Sequence, residues 1–400
     1  MSGRHPRSRP ARDRVRGLAV DALDRIDEGA YANLVLPPML DRSGLDQRDR
    51  HFVTELVYGA TRRRRALDHL VDAHLRRPPD RTTRSVLRLG AYQLLELGTP
   101  PHAAVGQTVS VAPERTKGLV NAVLRKVATT VGQGSIRWPS LGVELSYPDW
   151  VVDRLVTDLG RADAEAALAA MNEAPVVTTR ADGYVQDEAS QWVAAAVDAR
   201  PGLRVADLCA APGGKATAMA GDGAFVVAAD ARPGRAALVA ANARKLGCAE
   251  RVAVVVADGT APPLPPASVD RVLVDAPCSG LGVLRRRPDA RWRVSPGDVE
   301  DLAALQVALV RAAAPLVRPG GLLVYSVCTL TEAETVGVDR RAAEALAEFE
   351  ALTPLGAPWR PHGRGSLLLP HDAGTDGMFV VRLRRRGAAT APRPDVSPED

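Results

Sequence analysis

The sequence predicts a chain in two parts, an all-α helical domain followed by an α/β domain with a mostly parallel, doubly wound sheet. Up to about residue 130 the apolar residues recur at helical spacing, and nothing there has the pattern of a strand. From Leu203 onward, short Val, Leu and Ala runs that end in Gly, Asp or Pro alternate with helical stretches. This alternation is typical of a parallel sheet with helices on both faces.

The first helix is marked by one continuous apolar stripe. Its members fall at positions i, i+3, i+4, i+7, i+8 and i+11, and they are Val15, Leu18, Ala19, Ala22, Leu23 and Ile26. Further helices are predicted near 48–60, 63–76, 83–97, 102–112 and 117–130. We therefore expect a helical bundle over residues 14–135, preceded by a basic, disordered tail over residues 1–13.

Residues 136–180 are predicted to form a helical linker, with one helix beginning at Asp149 and an Ala-rich helix over 162–171. The α/β domain is expected over residues 181–386, followed by a disordered tail over residues 387–400. Its predicted strands are 204–208, 224–229, 252–257, 270–275, 321–327 and 378–384.

The composition, 46% apolar and 25% charged, is that of a globular protein. No apolar run approaches the roughly 20 residues that a membrane helix needs, and the first ten residues lack the apolar core of a signal peptide. We therefore expect a cytoplasmic protein with no membrane contact. The cysteines form no C-x-x-C pair, which predicts free thiols and no metal site; they are Cys209, Cys248, Cys278 and Cys328.

The positive charge is concentrated in the amino-terminal part of the chain. Residues 1–150 hold 24 Lys and Arg against 16 Asp and Glu, whereas the whole chain has a net charge of +5. A basic domain beside a slightly acidic one is typical of a protein that holds a polyanion with one domain and processes it with the other. A genome that favours Arg codons explains the same charge equally well.

The first predicted strand runs into a turn of small residues that opens a helix. The turn consists of Cys209, Ala210, Ala211, Pro212, Gly213, Gly214 and Lys215. Its glycines let a ligand approach the backbone closely, and the helix amino terminus with Lys215 offers positive potential to a carboxylate or phosphate. The turn has neither the dinucleotide-binding spacing G-x-G-x-x-G nor the spacing of a P-loop.

Two further acids follow the next two predicted strands. Asp230 stands where a carboxylate accepts hydrogen bonds from ribose hydroxyls. Asp258 stands where an adenine amino group can be recognised, although an acid there can equally cap a helix. A nucleoside that carries a carboxylate in place of a pyrophosphate indicates S-adenosylmethionine as the cofactor.

Two later strands each lead into a cysteine, Cys278 and Cys328, at the edge of the sheet where α/β proteins bind ligands. A thiolate that adds to C6 of cytosine makes C5 nucleophilic enough to take a methyl group, after which a base removes the C5 proton and the thiol leaves. One cysteine suffices for the attack, and a second can assist release. Asp275 can hydrogen-bond the N3/N4 edge of the base or help to protonate the ring.

The runs Asp-Ala-Pro-Cys-Ser-Gly at 275–280 and Tyr-Ser-Val-Cys-Thr-Leu at 325–330 resemble the paired motifs of RNA cytosine-C5 methyltransferases. The resemblance implies that Cys328 attacks and Cys278 aids release, within a Rossmann-like domain. It also implies an S-adenosylmethionine pocket formed by the Cys209 to Lys215 turn with Asp230, Asp258 and Asp275. DNA cytosine-C5 methyltransferases attack with the Pro-Cys cysteine, so this assignment rests on likeness and not on spacing.

The amino-terminal part resembles the NusB-type domain fused to bacterial 16S ribosomal RNA methyltransferases of the RsmB/Sun group. The similar runs are 49–59, 89–95 and 118–125, and 185–190 and 374–379 also match that group. The resemblance implies a monomer that methylates 16S rRNA before the subunit is fully assembled. It also favours an RNA-facing patch at Arg62 to Arg65, for which the alternative is a solvated helix face.

The chain departs from that group at two places. Members of the group carry a small α/β subdomain that helps to grip RNA, and the linker here leaves no room for it between Arg180 and Ala181. The group's Glu-Asn-Glu run reads Glu334-Thr335-Val336, which predicts the loss of a polar contact near the nucleophile. The alternative function is an RNA-binding ribosome-assembly factor that keeps the methyltransferase fold with weakened catalysis.

Overall fold

The computed structural model describes residues 11–134 and 136–387, so most of both predicted tails lies outside the described residues. The first helix begins at Ala11, inside the predicted 1–13 tail. The described chain forms two compact units. The helical unit comprises the residues up to Pro175 together with Leu284–Val294, and the sheet unit comprises Val176–Val283 and the residues from Ser295 onward.

The helical unit is built from short helices joined by tight turns. In chain order they are α1 (Ala11–Asp27), α2 (Ala32–Asp41), α3 (Gln47–Arg62), α4 (Arg64–Asp72), α5 (Arg81–Leu95), α6 (Pro101–Ser110), α7 (Lys117–Gly132), α8 (Leu141–Glu144), α9 (Asp149–Leu159) and α10 (Arg161–Ala170). Asp46 and Asp80 cap α3 and α5 by accepting from Asp49 N and Thr83 N, which satisfies amides that the helix leaves unpaired.

The apolar stripe of α1 lies in the core, with Val15, Ala19, Ala22, Leu23 and Ile26 all buried. The predicted helices from 48 to 130 correspond to α3 to α7. The helix α2 was not predicted, because Pro37 and Pro38 lie inside it and proline normally ends a helix. Four of its residues are buried nonetheless, so packing outweighs local propensity there.

The predicted RNA-facing patch at Arg62 to Arg65 is wrong for Arg62, which is 4% exposed. Burial lowers the pKa of Arg62, and its Nη2 donates to Arg285 O at 3.2 Å. The other three arginines are partly buried and paired within the helical unit. Their ion-pair partners are Glu96 for Arg63, Asp27 for Arg64 and Asp149 for Arg65. These guanidinium groups are therefore engaged in ion pairs within the helical unit.

The segment Leu284–Val294 is held in the helical unit by Arg291, whose side chain is completely buried. Its guanidinium Cζ lies 3.9 Å from the ring centroid of Tyr147. Its Nη atoms donate to Arg62 O at 3.1 Å, Ser146 O at 3.2 Å, Met171 O at 3.5 Å, Leu284 O at 3.4 Å and Asn172 Oδ1 at 2.9 Å. Arg62 is the last residue of α3, and Met171 directly follows α10. The cation therefore lies at the negative ends of two helix dipoles.

The sheet unit contains one mixed sheet. Its strands are β1 (Arg204–Asp207), β2 (Phe225–Asp230), β3 (Val252–Val256), β4 (Val269–Asp275), β5 (Val317–Val327), β6 (Phe349–Ala351), β7 (Arg360–His362), β8 (Gly365–Leu368) and β9 (Met378–Arg385). Its helices are α11 (Glu188–Ala196), α12 (Gly214–Gly221), α13 (Pro233–Lys245), α14 (Pro296–Ala313), α15 (Val336–Arg341) and α16 (Pro370–Ala373).

The strand order is β3-β2-β1-β4-β5-β9-β8-β7, with β6 also paired to β9. Strands β1 to β5 are parallel to one another, and β9 runs antiparallel to β5. The predicted α/β class and its six predicted strands are confirmed. The three short strands β6, β7 and β8 were not predicted, because three or four residues carry too little alternation to be recognised.

The parallel strands bring their carboxyl ends to one edge of the sheet. Asp207, Asp230 and Asp275 are the last residues of β1, β2 and β4, and Cys328 directly follows β5. These acids and the thiol therefore share the crevice edge that open α/β sheets use for ligands. No helix formed by the described residues combines the length and apolarity of a membrane span.

Candidate active site

The turn after β1 is a compact backbone cradle. Gly213 has φ +106°, and a Cβ added there would lie 3.1 Å from Val239 Cα, so only glycine fits. Ala210 N donates to Ala229 O at 2.8 Å, and Gly213 N donates to Ala210 O at 2.7 Å. The helix α12 begins at Gly214, so its unpaired amides open onto this cradle. The cradle holds the predicted residues Cys209, Ala210, Ala211, Pro212, Gly213, Gly214 and Lys215 in one turn.

Asp230 ends β2 and Asp258 lies in the loop after β3, as predicted. Asp230 Oδ1 accepts from Arg232 N at 3.0 Å, and Arg235 Nε lies 3.1 Å from its Oδ2. Asp258 Oδ1 accepts from the amide and the hydroxyl of Thr260 at 2.9 and 2.8 Å, and these bonds lower the pKa of Asp258. Asp258 is therefore an exposed carboxylate that stays ionised and has its second oxygen available to a ligand.

Lys215 forms an ion pair with Asp275 that was not predicted. Its Nζ lies 2.6 Å from Asp275 Oδ2. Burial works against the charged form of Lys215, but Asp275 outweighs it and the pKa of the ammonium is raised. Ser326 Oγ donates to the other Asp275 oxygen at 2.6 Å. Asp275 thus joins the end of β4 to α12 and β5. Its carboxylate offsets part of the positive potential that was predicted at Lys215.

Asp207, at the end of β1, is a site residue that the sequence analysis did not single out. Its carboxyl is 1% exposed, and its Oδ2 has no hydrogen-bond partner among the described residues. Burial, together with the charge of Asp275, raises the pKa of Asp207 to about 7. Such a buried oxygen without a donor fits a ligand that brings a donor or a cation of its own.

Because the pKa of Asp207 is higher in the folded chain than in the unfolded chain, its ionisation destabilises the fold as the pH rises from about 4 to 7. We expect Asp207→Asn to be more stable than the wild type at pH 8, by up to a few kcal/mol, with the difference vanishing near pH 4. Urea unfolding of the cofactor-free protein across this pH range measures it. A difference that does not change with pH would contradict the prediction.

The two predicted cysteines meet at the edge of the sheet, with Cys278 Sγ 3.2 Å from Cys328 Sγ. The hydrogen bond between the thiols and the burial of Cys278 hold the pKa of Cys278 well above its usual range. Gly282 N donates to Cys328 O at 3.1 Å, and a Cβ at Gly282 would lie only 2.2 Å from Gly377 O. The loop after Cys278 therefore depends on glycine to pass this close to Gly377, which directly precedes β9.

Glu334, the first acid of the run Glu334-Thr335-Val336, has contacts at the site that the sequence analysis did not predict. Its carboxylate is fully buried and accepts from the loops that follow both cysteines. The departure at Thr335 and Val336 leaves this first acid of the run in place. The only signal in the sequence was an acid six residues after Cys328, and its partners became visible only in the fold.

The predicted linker over residues 136–180 belongs to the helical unit up to Pro175. Its last residues begin a short hairpin in the sheet unit, closed by a β-bridge between Thr179 and Val185. Arg180 lies in this hairpin and donates to Gly214 O, and also to Gln186 Oε1 at 3.1 Å and Thr217 Oγ1 at 3.2 Å. Hydrogen bonds from Arg180 therefore join the hairpin to the first turn of α12, the helix that follows the glycine cradle.

Comparison with protein families gives two matches. Residues 194–384 match the family 16S rRNA methyltransferase RsmB/F, and residues 13–129 match the NusB family. The structure also resembles the crystal structure of PH0851, with a TM-score of 0.73 and 21% identity over 94% of this chain and 99% of that one. At that identity the likeness shows the shared fold.

Curated relatives match nearly the whole chain. A putative methyltransferase of Mycobacterium tuberculosis is 38% identical over 96% of this chain and 98% of its own length. Ribosomal RNA small subunit methyltransferase B of Thermus thermophilus is 38% identical over 92% of this chain and 97% of its own length. The chain belongs to the RsmB/F family of 16S rRNA methyltransferases, and S-adenosylmethionine is its cofactor.

Proposed function

We propose that this protein methylates C5 of a cytosine in 16S ribosomal RNA through a covalent bond between Cys328 and C6 of the base. The observation that carries the proposal is the pair of thiols 3.2 Å apart at the cofactor edge of the sheet. Methyl transfer to a ring nitrogen or to a ribose hydroxyl requires no thiol, whereas transfer to the weakly nucleophilic C5 requires one. The Thermus thermophilus relative is named as a small-subunit ribosomal RNA methyltransferase.

In the proposed reaction the Cys328 thiolate forms a bond to C6, and the electron pair of the C5–C6 double bond becomes available at C5. The bound cofactor supplies the methyl group, and its sulfonium becomes a neutral thioether. A base then takes the C5 proton, the double bond re-forms, and Cys328 leaves as a thiolate. The ammonium of Lys215 raises the local positive potential for the thiolate, since the charges of Lys215 and Cys328 interact favourably.

Asp275 is proposed to bind the amino edge of the cytosine. Its two oxygens accept from Lys215 and Ser326, which fixes the carboxylate plane at the end of β4. Each carboxylate oxygen has two acceptor sites, so one on each remains for a donor on the base. Cys278 is proposed to assist release, because its Sγ lies 3.2 Å from Cys328 Sγ and so within reach of the adduct that Cys328 holds.

The cradle residues Cys209 to Lys215, with Asp230, Asp258 and Asp275, are proposed to hold S-adenosylmethionine. Asp230 lies where ribose hydroxyls would donate, and Asp258 lies where an amino group would donate. The unpaired oxygen of Asp207 fits the ammonium of the methionine portion. The donor set therefore suits a nucleoside with an amino acid attached, which is the chemistry of this cofactor.

The NusB-like helices over residues 14–135 are proposed to hold the RNA so that the target base can leave its stack. The alignment with the Mycobacterium tuberculosis relative spans 463 positions but uses 96% of these 400 residues, so this chain lacks several dozen residues that the relative has. We place that difference between Arg180 and Ala181, where the chain forms only the short hairpin. RNA contacts then depend more strongly on the helical unit here.

The test is incubation of the protein with protein-free 16S rRNA and methyl-labelled cofactor, followed by digestion to nucleosides. We expect the label in 5-methylcytidine, at one position when the product RNA is mapped. Label in another nucleoside would contradict the cytosine assignment. Cofactor binding with no label transferred to naked rRNA or to small-subunit assembly intermediates would favour the alternative, a ribosome-assembly factor with weakened catalysis.

A further inference from the structure

The two cysteine loops share a single buried acceptor, the carboxylate of Glu334, which has no exposed surface. From the loop after Cys278, Ser279 donates its backbone N–H to Oε1 at 2.8 Å and its hydroxyl to Oε2 at 2.5 Å. From the loop after Cys328, the hydroxyls of Thr329 and Thr331 donate to Oε2 at 3.1 and 2.9 Å. One side chain thus receives hydrogen bonds from the residues that immediately follow both thiols.

Glu334 is itself fixed from a third direction. Gln306, on α14, donates to Glu334 Oε1 at 3.1 Å and to Pro277 O at 2.8 Å. Tyr325, on β5, donates its hydroxyl to Glu334 O at 2.6 Å. The acid therefore has little freedom to move, and the loops that bind it have little freedom to move relative to each other.

No lysine or arginine within the described part of the chain forms an ion pair with Glu334. A buried carboxylate without a cation is costly, and its hydrogen-bond donors offset only part of that cost. Its place between the residues that follow the two thiols points to a role in the reaction.

We propose that Glu334 is a positioning residue that fixes the separation of the Cys278 and Cys328 thiols, so that Cys278 can reach the adduct held by Cys328 in the release step. The proposal rests on the proposed function for the chemistry of that step. Its geometric part, the fixed separation of two thiols, does not depend on RNA or on methyl transfer.

The variants separate charge from hydrogen bonding. Glu334→Gln keeps one carbonyl oxygen for Ser279 N and Gln306 Nε2, while its amide can donate to the hydroxyls of Thr329 and Thr331 after they rotate. Glu334→Ala removes every one of these bonds. Ser279→Ala removes one hydroxyl and keeps the backbone N–H. The matched control is Glu332→Gln, since Glu332 lies two residues away and pairs with the surface residue Arg340.

The first readout is catalytic. In Glu334→Ala we expect kcat to fall by about 100-fold with a covalent enzyme–RNA adduct that persists on a denaturing gel, because a displacement of about 1 Å has effects of that size. The KM for the cofactor should stay within about twofold, and Glu334→Gln should recover most of kcat, within about tenfold of the wild type. Ser279→Ala should lengthen the adduct lifetime to a smaller extent.

The second readout needs no RNA. With hydrogen peroxide, the two thiols lose two protons and two electrons to form a disulfide, and the peroxide is reduced to two waters. The rate of Cys278–Cys328 disulfide formation, followed by peptide mass, should be slower in Glu334→Ala than in wild type, Glu334→Gln or Glu332→Gln. This experiment tests the positioning role even if the wild type shows no methyl transfer. The absence of methyl transfer would count against the proposed function and not against the positioning role.

Unchanged adduct lifetime and disulfide rate in a folded Glu334→Ala would overturn the proposal. Equal losses of kcat, cofactor binding and melting temperature would overturn it as well, since they would describe a purely structural residue. If Glu334→Ala does not fold, Ser279→Ala decides, and an adduct lifetime and disulfide rate identical to wild type would reject the role.

Discussion

Cys328→Ala is expected to lose more than about 1,000-fold in methyl transfer while it binds the cofactor as the wild type does. Cys328 directly follows β5, and its side chain is the proposed nucleophile. Without it, C5 of the base keeps its ordinary low reactivity, so the bound methyl donor has no acceptor. Cys328→Ser should be equally inactive although it keeps the size of the side chain, because a hydroxyl is not ionised near neutral pH. Transfer of labelled methyl to RNA measures the loss.

The control for this variant is Cys248→Ala, which removes a buried thiol in the core of the sheet unit. Within the described residues, the one hydrogen bond of the Cys248 thiol is to Ala243 O, at 3.7 Å. We expect activity close to that of the wild type. Full activity in Cys328→Ala with a loss in Cys278→Ala would reverse the two assigned roles and match the order used by DNA cytosine-C5 methyltransferases.

Cys278→Ala should behave differently from Cys328→Ala if the roles are as proposed. The nucleophile is intact, so the adduct forms, but the nearby thiol that assists release is gone. A covalent enzyme–RNA species should therefore accumulate on a denaturing gel. The double variant should show none, which separates a Cys328 adduct from nonspecific cross-linking.

Arg291→Ala is expected to destabilise the helical unit by about 3 to 5 kcal/mol. Burial lowers the pKa of Arg291 to about 10, so the guanidinium is still charged at neutral pH. No acid within the described residues forms an ion pair with it, and its charge is met by backbone carbonyls, Asn172 and the face of Tyr147. Removal leaves those carbonyls buried without donors, each at a cost of about 1 to 3 kcal/mol before water enters.

Hydrogen–deuterium exchange read peptide by peptide measures this effect, because it reports the helical and sheet units separately. Protection should fall first in peptides of α3 and α10, where Arg62 and Met171 lie. The matched control is Arg287→Ala, an exposed arginine of the same segment, with an expected change within about 0.5 kcal/mol. Equal protection in the two variants would contradict the assigned role of Arg291.

Features that repeat locally were predictable from the sequence. The apolar stripe of α1 has helical spacing, and β1 to β5 are short apolar runs that end in Gly, Asp or Pro. The type and position of these elements could therefore be predicted from the sequence. The small turn at Gly213 and the acid at Asp230 have local signatures as well, because they stand at fixed offsets from strand ends. These signals predicted the sheet and the residues that are proposed to hold the cofactor.

Contacts between distant residues were not predictable in this way. Arg62 was read as part of a basic surface run, but its carbonyl is a partner of Arg291, 229 residues later. Glu334 was read as the remnant of a motif, but its role follows from Ser279, 55 residues earlier. A buried polar group depends on which segments meet around it, and composition and spacing do not contain that information.

The course of the chain through the two units has a consequence for their modularity. The backbone leaves the helical unit at Pro175, returns to it for Leu284–Val294, and then leaves again. A fragment that ends at Pro175 would lack Arg291, so the helical unit cannot be expressed as one continuous stretch with its interior intact. The two halves resemble separate families, yet the interior of the helical unit is complete only once Leu284–Val294 has been translated, after residues 176–283 of the sheet unit.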